Sequence, residues 1–247
     1  MSTLSYLSSE ETQTLNKIFC QYITSKTVVA LSTLLSEPIN HNVNILNNGV
    51  TQIKNIKLTP NEIKVCAVRL NGKGDTHIEI LYTLNQEHAK KIAAKLLCQT
   101  DIREIDEMGA SAIQEVANIM TGSFFNALSQ GTGFRVDLST PNFASDELHS
   151  LIDNSVKDVM NPIEFAVVAD VELVGRTSGT KLHMIIMQNP DNARKLLANH
   201  SDKPDTNNQV NSGSVVLAQE TAEPYTIGGG NTELDALLGD ILQENSS

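Results

Sequence analysis

The chain has 247 residues, 40% of them hydrophobic, and a formal net charge of −11. Its apolar content supplies a core for one large domain or two small ones and excludes a chain disordered throughout, while the acidic balance argues against a nucleic-acid partner, which needs a concentrated basic surface. No run approaches the length expected of a membrane span, and the opening MSTLSYLSSEETQ lacks the basic and apolar regions of a secretory signal, so a cytoplasmic location without membrane insertion is expected.

Ser8 or Ser9 can cap a first helix, with Glu10 and Glu11 at its positive end and Leu15, Ile18 and Phe19 at helical spacing up to about Tyr22. A second helix is expected from Ser25, carrying Val28, Val29, Leu31, Leu34 and Leu35 and stopping before Pro38. Asn42 to Leu46 reads as a short strand and Asn47-Asn48-Gly49 as a turn. Glu62 to Leu70 and Thr76 to Leu84 alternate around Asn71-Gly72-Lys73-Gly74-Asp75, which predicts a hairpin. Asn85 then opens a helix with Ala89, Ile92, Ala93, Leu96 and Leu97 inward and Lys90, Lys91 and Lys95 toward water.

From Asp106 the spacing predicts another helix, with Ala112, Ile113, Val116, Ala117 and Met120 on one face. Ser111, Glu115, Asn118 and Gly122 line the opposite face, and periodicity alone asks nothing more of that stripe than solvation. A second hairpin follows at Glu164 to Val174 and Thr180 to Gln188, then a helix opened by Asn189 with Pro190 at its first turn.

The second half repeats the first. Ala127-Leu128-Ser129 stands ninety-seven residues after Ala30-Leu31-Ser32, and Val171, Leu173 and Gly175 match Val68, Leu70 and Gly72. The expected fold is therefore α+β: a pseudo-two-fold tandem repeat of a helix pair plus a β-hairpin, with helices packed on a mostly antiparallel sheet. Residues 1–200 would form this domain, with repeats of about 1–100 and 101–200. Carried back by the same ninety-seven residues, Ser111, Glu115, Asn118 and Pro141 fall on Thr14, Ile18, Gln21 and Asn44, so only the second repeat carries the stripe.

Residues 201–231 are rich in Asp, Asn, Gln, Ser and Gly and read as an acidic linker. The final segment, 232–247, carries a small amphipathic helix capped by Thr232, with Asp235 early and Leu234, Leu237, Leu238, Ile241 and Leu242 along one side. Two uses are open to such a peptide: laying its apolar face in a partner's groove, or folding back on its own domain. Cys20, Cys66 and Cys98 form no CxxC pair and are expected as reduced core thiols. The six histidines show no spacing suited to zinc, so no metal site is expected.

The spacing Ser111, Glu115, Asn118, Pro141, together with the words EVANIMTGSFFNALS, resembles the signature of the CheC/CheX/FliY family of chemotaxis phosphatases, which act on the phosphorylated response regulator CheY. That resemblance implies a protein aspartyl-phosphate phosphatase in which Asn118 orients the attacking water and Glu115 contacts a regulator lysine. Ser111 would shape the contact and Pro141 would set the following loop. It also implies no cofactor of the chain's own, the Mg²⁺ being held by the response regulator. The words TELDALLGDIL resemble the CheY-binding peptides of FliM, FliY and CheZ. Relatives of the CheC type also bind the deamidase CheD, which leaves a non-catalytic adaptor as the alternative.

Overall fold

The structure, a computed structural model, describes residues 7–46, 51–52, 64–148, 150–152 and 165–200. All of these fall in the first of the chain's two units, Met1–Pro204. The elements are α1 (Ser9–Tyr22), a π-turn (Ile23–Thr27), α2 (Val28–Leu35), β1 (Ile39–Ile45), β2 (Thr51–Gln52), β3 (Val65–Gly74), β4 (His77–Leu84), α3 (Gln86–Leu96), α4 (Glu107–Thr132), β5 (Val136–Leu138), β6 (Asn142–Asp146), β7 (Phe165–Gly175), β8 (Lys181–Gln188) and α5 (Pro190–Asn199). The turn expected at Asn47-Asn48-Gly49 lies outside the described residues, as do the linker and the terminal peptide.

Helix starts follow the residues that satisfy their free N–H groups. Ser8 Oγ accepts from the Glu11 backbone N–H while the Glu11 carboxylate accepts from that of Ser8, a reciprocal capping box. Asn85 and Asn189 cap α3 and α5 through their side-chain oxygens, at matching places in the two repeats. Asp106 caps α4 by accepting from the Gly109 N–H at 2.8 Å.

One antiparallel sheet runs in the order β1-β7-β8-β4-β3-β5, with β6 also on β3 and β2 also on β7. The repeats exchange strands across it. β1 of the first repeat pairs with β7 of the second, and β5 and β6 of the second pair with β3 of the first. At the centre Leu81 of β4 lies opposite Ile185 of β8, and these residues are themselves equivalent, separated by the same interval as Asn85 and Asn189. The pseudo-two-fold axis therefore passes between them. Helices exchange as well, α1 packing on α5 and α3 on α4. Neither half closes its own sheet or covers its own helix, which is why the fold needs both.

Alternation along the strands gives the sheet two apolar faces. Val68, Leu70, Ile80, Tyr82, Val171, Leu173, Met184 and Ile186 pack under the helices. Ala67, Leu81, Val168, Ile185 and Met187 meet Leu148, Leu151 and Ile152 on the other side. A further tie crosses between repeats at Glu37, just past α2. Its carboxylate accepts from the Thr177 and Ser178 backbone N–H groups at 2.8 and 2.9 Å and from Ser178 Oγ at 2.7 Å, at the β7–β8 turn. Gly175 makes room for it, since a Cβ there would stand 2.7 Å from the carboxylate. Burial pushes the Glu37 carboxyl up, but the Ser178 and Thr177 hydrogen bonds outweigh it and hold the group below its ordinary 4.5.

Three expectations are corrected. The helices expected to part near Ser25 run on without a break, because the π-turn keeps the backbone hydrogen-bonded through Thr27. The joined helix, Ser9–Leu35, spans 27 residues and is long and apolar enough by length and composition to cross a bilayer, contrary to the sequence reading. Its apolar residues, including Leu15, Phe19, Ile23 and Leu31, belong to the main core cluster. Finally, Cys66 is buried but Cys20 and Cys98 are exposed. Cys20 falls on the outer side of α1, and Cys98, at φ +52, stands just beyond the end of α3.

Candidate functional site

α4 is one uninterrupted helix of 26 residues, ending at Gly133 in the left-handed conformation. Its inward side is set by Ile113, Val116, Ala117, Met120, Phe124, Phe125 and Leu128, all buried. That packing fixes the rotation of the helix, and the rotation turns the polar stripe outward. Ser111 and Asn118 are exposed and Glu115 is half-buried. A Cβ added at Gly122 would meet nothing within 4 Å, so the ground beside Asn118 is open to a close approach. Among the described residues neither Glu115 nor Asn118 makes a hydrogen bond or ion pair.

Pro141 stands at the entry to β6, and its carbonyl accepts from Gln114 Nε2 of α4 at 3.0 Å. The loop before it is tied to β3 by Ser139, whose Oγ accepts from the Asn71 N–H and whose N–H donates to the Asn71 carbonyl, both at 2.9 Å. Ser111, Glu115 and Asn118 thus share one helix face, while Pro141 joins that helix through a neighbour the sequence reading passed over. Nothing in the sequence marks Gln114, because its partner is a backbone carbonyl 27 residues away. Met108 is a second omission. It is 59% exposed and lies one turn before Ser111, so it extends the stripe with an apolar end.

The first repeat's matching face needs a correction. The π-turn inserts one residue, so the interval of ninety-seven holds only after it. Before it the interval is ninety-eight, as the caps Ser8 and Asp106 show. In that register Leu15, Ile18, Phe19 and Tyr22 match Ile113, Val116, Ala117 and Met120, and all eight are buried. The places of Ser111, Glu115 and Asn118 are therefore held by Gln13, Lys17 and Cys20, all exposed, and not by Thr14, Ile18 and Gln21. Strand pairing moves the remaining position too. Asn142 opposes Arg69 and Asn42 opposes the equivalent Glu172, so His41, not Asn44, stands where the second repeat has Pro141.

The stripe lies on the outward side of α4. A cavity of about 410 Å³ does exist, lined in part by Arg69, Asn71, Thr140 and Asn142, but it opens on the sheet face away from the helices. Small molecules are ordinarily held in concave sites, and a half-buried carboxylate beside an exposed carboxamide on one helix face suits a macromolecular partner that supplies the concavity itself. The terminal residues Leu234, Asp235, Leu237, Leu238, Ile241 and Leu242 lie outside the described residues.

The model of the CheC-like family matches residues 108–145, a stretch that holds all four signature positions and Met108. The CheY-P phosphatase CheC of Bacillus subtilis (strain 168) is 24% identical over 141 residues, covering 55% of this chain and 68% of that protein. Among solved structures, FliY of Thermotoga maritima superposes with a TM-score of 0.62 at 20% identity, over 78% of this chain and 96% of that one. The FliM middle domain of H. pylori does so with a TM-score of 0.51 at 11% identity, over 78% and 99%. These structural likenesses establish a shared fold. With the family's segment seated on that fold's long helix, the chain is similar to the CheC/CheX/FliY family.

Proposed function

We propose that the protein dephosphorylates the aspartyl phosphate of a CheY-type response regulator in chemotaxis signalling. The observation that carries this reading is the pair Glu115 and Asn118, one helical turn apart, outward and without partners of their own among the described residues. Hydrolysis of an acyl phosphate needs a water held in line with the breaking P–O bond, and positioning with electrostatics supplies most of the rate gain. Asn118 is not a base. Its carboxamide enters the regulator's site and orients that water. Glu115 forms a charge-assisted contact with a regulator lysine and fixes the docking register. Ser111 shapes the contact and Pro141 sets the bordering loop. The Mg²⁺ belongs to the regulator, and a cytoplasmic location goes with that partner.

Residues 232–247 are the second half of this reading: a regulator-binding peptide on the 201–231 linker, which delivers its captive to α4. The test is phosphate release from phosphorylated CheY in the presence of Mg²⁺. Wild-type protein accelerates it and Asn118→Ala does not; an active Asn118→Ala protein overturns the assignment. The second reading, an adaptor binding CheY or CheD without chemistry, is favoured by Lys17 and Cys20 standing where the other repeat has Glu115 and Asn118. Binding of the regulator without acceleration would select it.

A further inference from the structure

The two repeats present the same helix twice. α1 and α4 begin at equivalent caps, bury equivalent residues and are related by the axis between Leu81 and Ile185. Burial of Leu15, Ile18, Phe19 and Tyr22 gives α1 the same rotation on the sheet that Ile113, Val116, Ala117 and Met120 give α4. A partner shaped to lie on the α4 stripe therefore meets a second helix of similar pose on α1. What differs is side-chain chemistry. Lys17 replaces a carboxylate by an ammonium, is exposed, and makes no ion pair among the described residues. Cys20 replaces a carboxamide, and a thiol lacks the paired donor and acceptor that orient a water. Thr24 stands where Gly122 leaves open ground, and its hydroxyl is hydrogen-bonded to His41 Nε2 at 2.8 Å.

We infer that Lys17 is a specificity-determining residue: its unpaired positive charge, backed by the Thr24–His41 pair, keeps the response regulator off the α1 face, so that each domain engages the regulator on the α4 stripe alone. The inference rests on the proposed pairing of Glu115 with a regulator lysine. A surface that offers a lysine to Glu115 is repelled when it meets Lys17, and discrimination between two similar faces is achieved as effectively by repulsion from one as by attraction to the other. One orientation then results from a fold that is nearly symmetric.

The experiment uses the full chain. In an Asn118→Ala background, which silences α4, Lys17→Glu, Cys20→Asn and Thr24→Gly are introduced together, and phosphate release from phosphorylated CheY is followed. The expected result is release at least about tenfold above Asn118→Ala alone, the scale of a removed like-charge contact. Because these positions are exposed, a melt matching that of Asn118→Ala checks the fold, and a folded variant with no regained release overturns the inference. A second arm reads exclusion without catalysis. Lys17→Glu in the otherwise wild-type chain is titrated with beryllofluoride-activated CheY by calorimetry, and one further regulator bound per chain is expected. Unchanged stoichiometry overturns the inference even where the phosphatase reading stands, whereas added binding by a chain that never releases phosphate upholds Lys17 and removes only the catalytic role of Asn118.

Discussion

In the proposed reaction the amide at position 118 orients the water, and no ionisable group on this chain is needed for that step. Because Asn118 is exposed and supports nothing around it, Asn118→Ala should leave stability within about 0.5 kcal/mol of wild type. Loss of the oriented water should nevertheless slow phosphate release by about 10²-fold or more. Glu115 separates from it in kinetics: Glu115→Lys reverses the docking charge and should raise KM by about tenfold or more, and an unchanged KM would remove the proposed ion pair. Gln114 makes a third, different claim. Its amide holds the Pro141 carbonyl and with it the loop tied to Asn71. Gln114→Glu keeps the shape but sets an acceptor against an acceptor, and the loss of about one hydrogen bond should raise KM a few-fold with kcat nearly constant. Pro141→Ala retains that carbonyl and should be milder. Equal KM for Gln114→Glu and wild type would reduce Gln114 to packing.

Among the elements, the helix caps and the second hairpin were legible in the sequence because both depend on local chemistry, whereas the first hairpin's turn, expected at Asn71 to Asp75, is displaced because β3 runs on to Gly74. Asn85 and Asn189 cap their helices where the residues alone place them, and the second hairpin's strands end within a residue or so of the expected bounds. The stripe on α4 was legible for the same reason, since helical period alone separates Ser111, Glu115 and Asn118 from the buried side. The register of the first repeat was not. A single inserted residue is invisible in composition, and the burial of Ile18 together with the caps Ser8 and Asp106 exposes the shift. Strand exchange between repeats was equally hidden, because pairing partners lie 62 to 136 residues apart. The Glu37 tie follows from that exchange and carries a pH signature. With its carboxyl held below 4.5 when folded, its stabilisation is full above the unfolded value and is lost as pH falls through the folded one. Glu37→Gln should lower stability by about 1.5–3 kcal/mol near neutrality and flatten the acid limb of Tm against pH below about 4.5. An acid limb identical to wild type would show that the tie is not ionised in the way described.

For the whole molecule, the proposed function raises the question of how a stripe with few contacts would capture a regulator at cellular concentration. The stripe alone offers Met108, Ser111, Glu115, Asn118 and the open ground at Gly122, too small a patch for tight binding. In the proposed reading the tail supplies what the stripe lacks. Residues from 201 onward carry eight acidic side chains against Lys203 alone, four of them, with Lys203, in 201–231 and four in 232–247. If residues 201–231 act as the proposed linker, a flexible chain of that length would span roughly 30 Å on average and would hold a captured regulator at an effective concentration approaching the mM range. Tethering changes encounter and not chemistry, so deletion of residues 232–247 should raise KM while leaving kcat close to wild type. Lengthening the linker with Gly-Ser repeats should raise KM more gently, roughly as the −3/2 power of length sets the effective concentration. Steady-state kinetics across the deletion and the length series measure both. A KM indifferent to the loss of Leu234, Leu237, Leu238, Ile241 and Leu242 would mean that the stripe captures its substrate unaided, and the tail would then have to act on some other step.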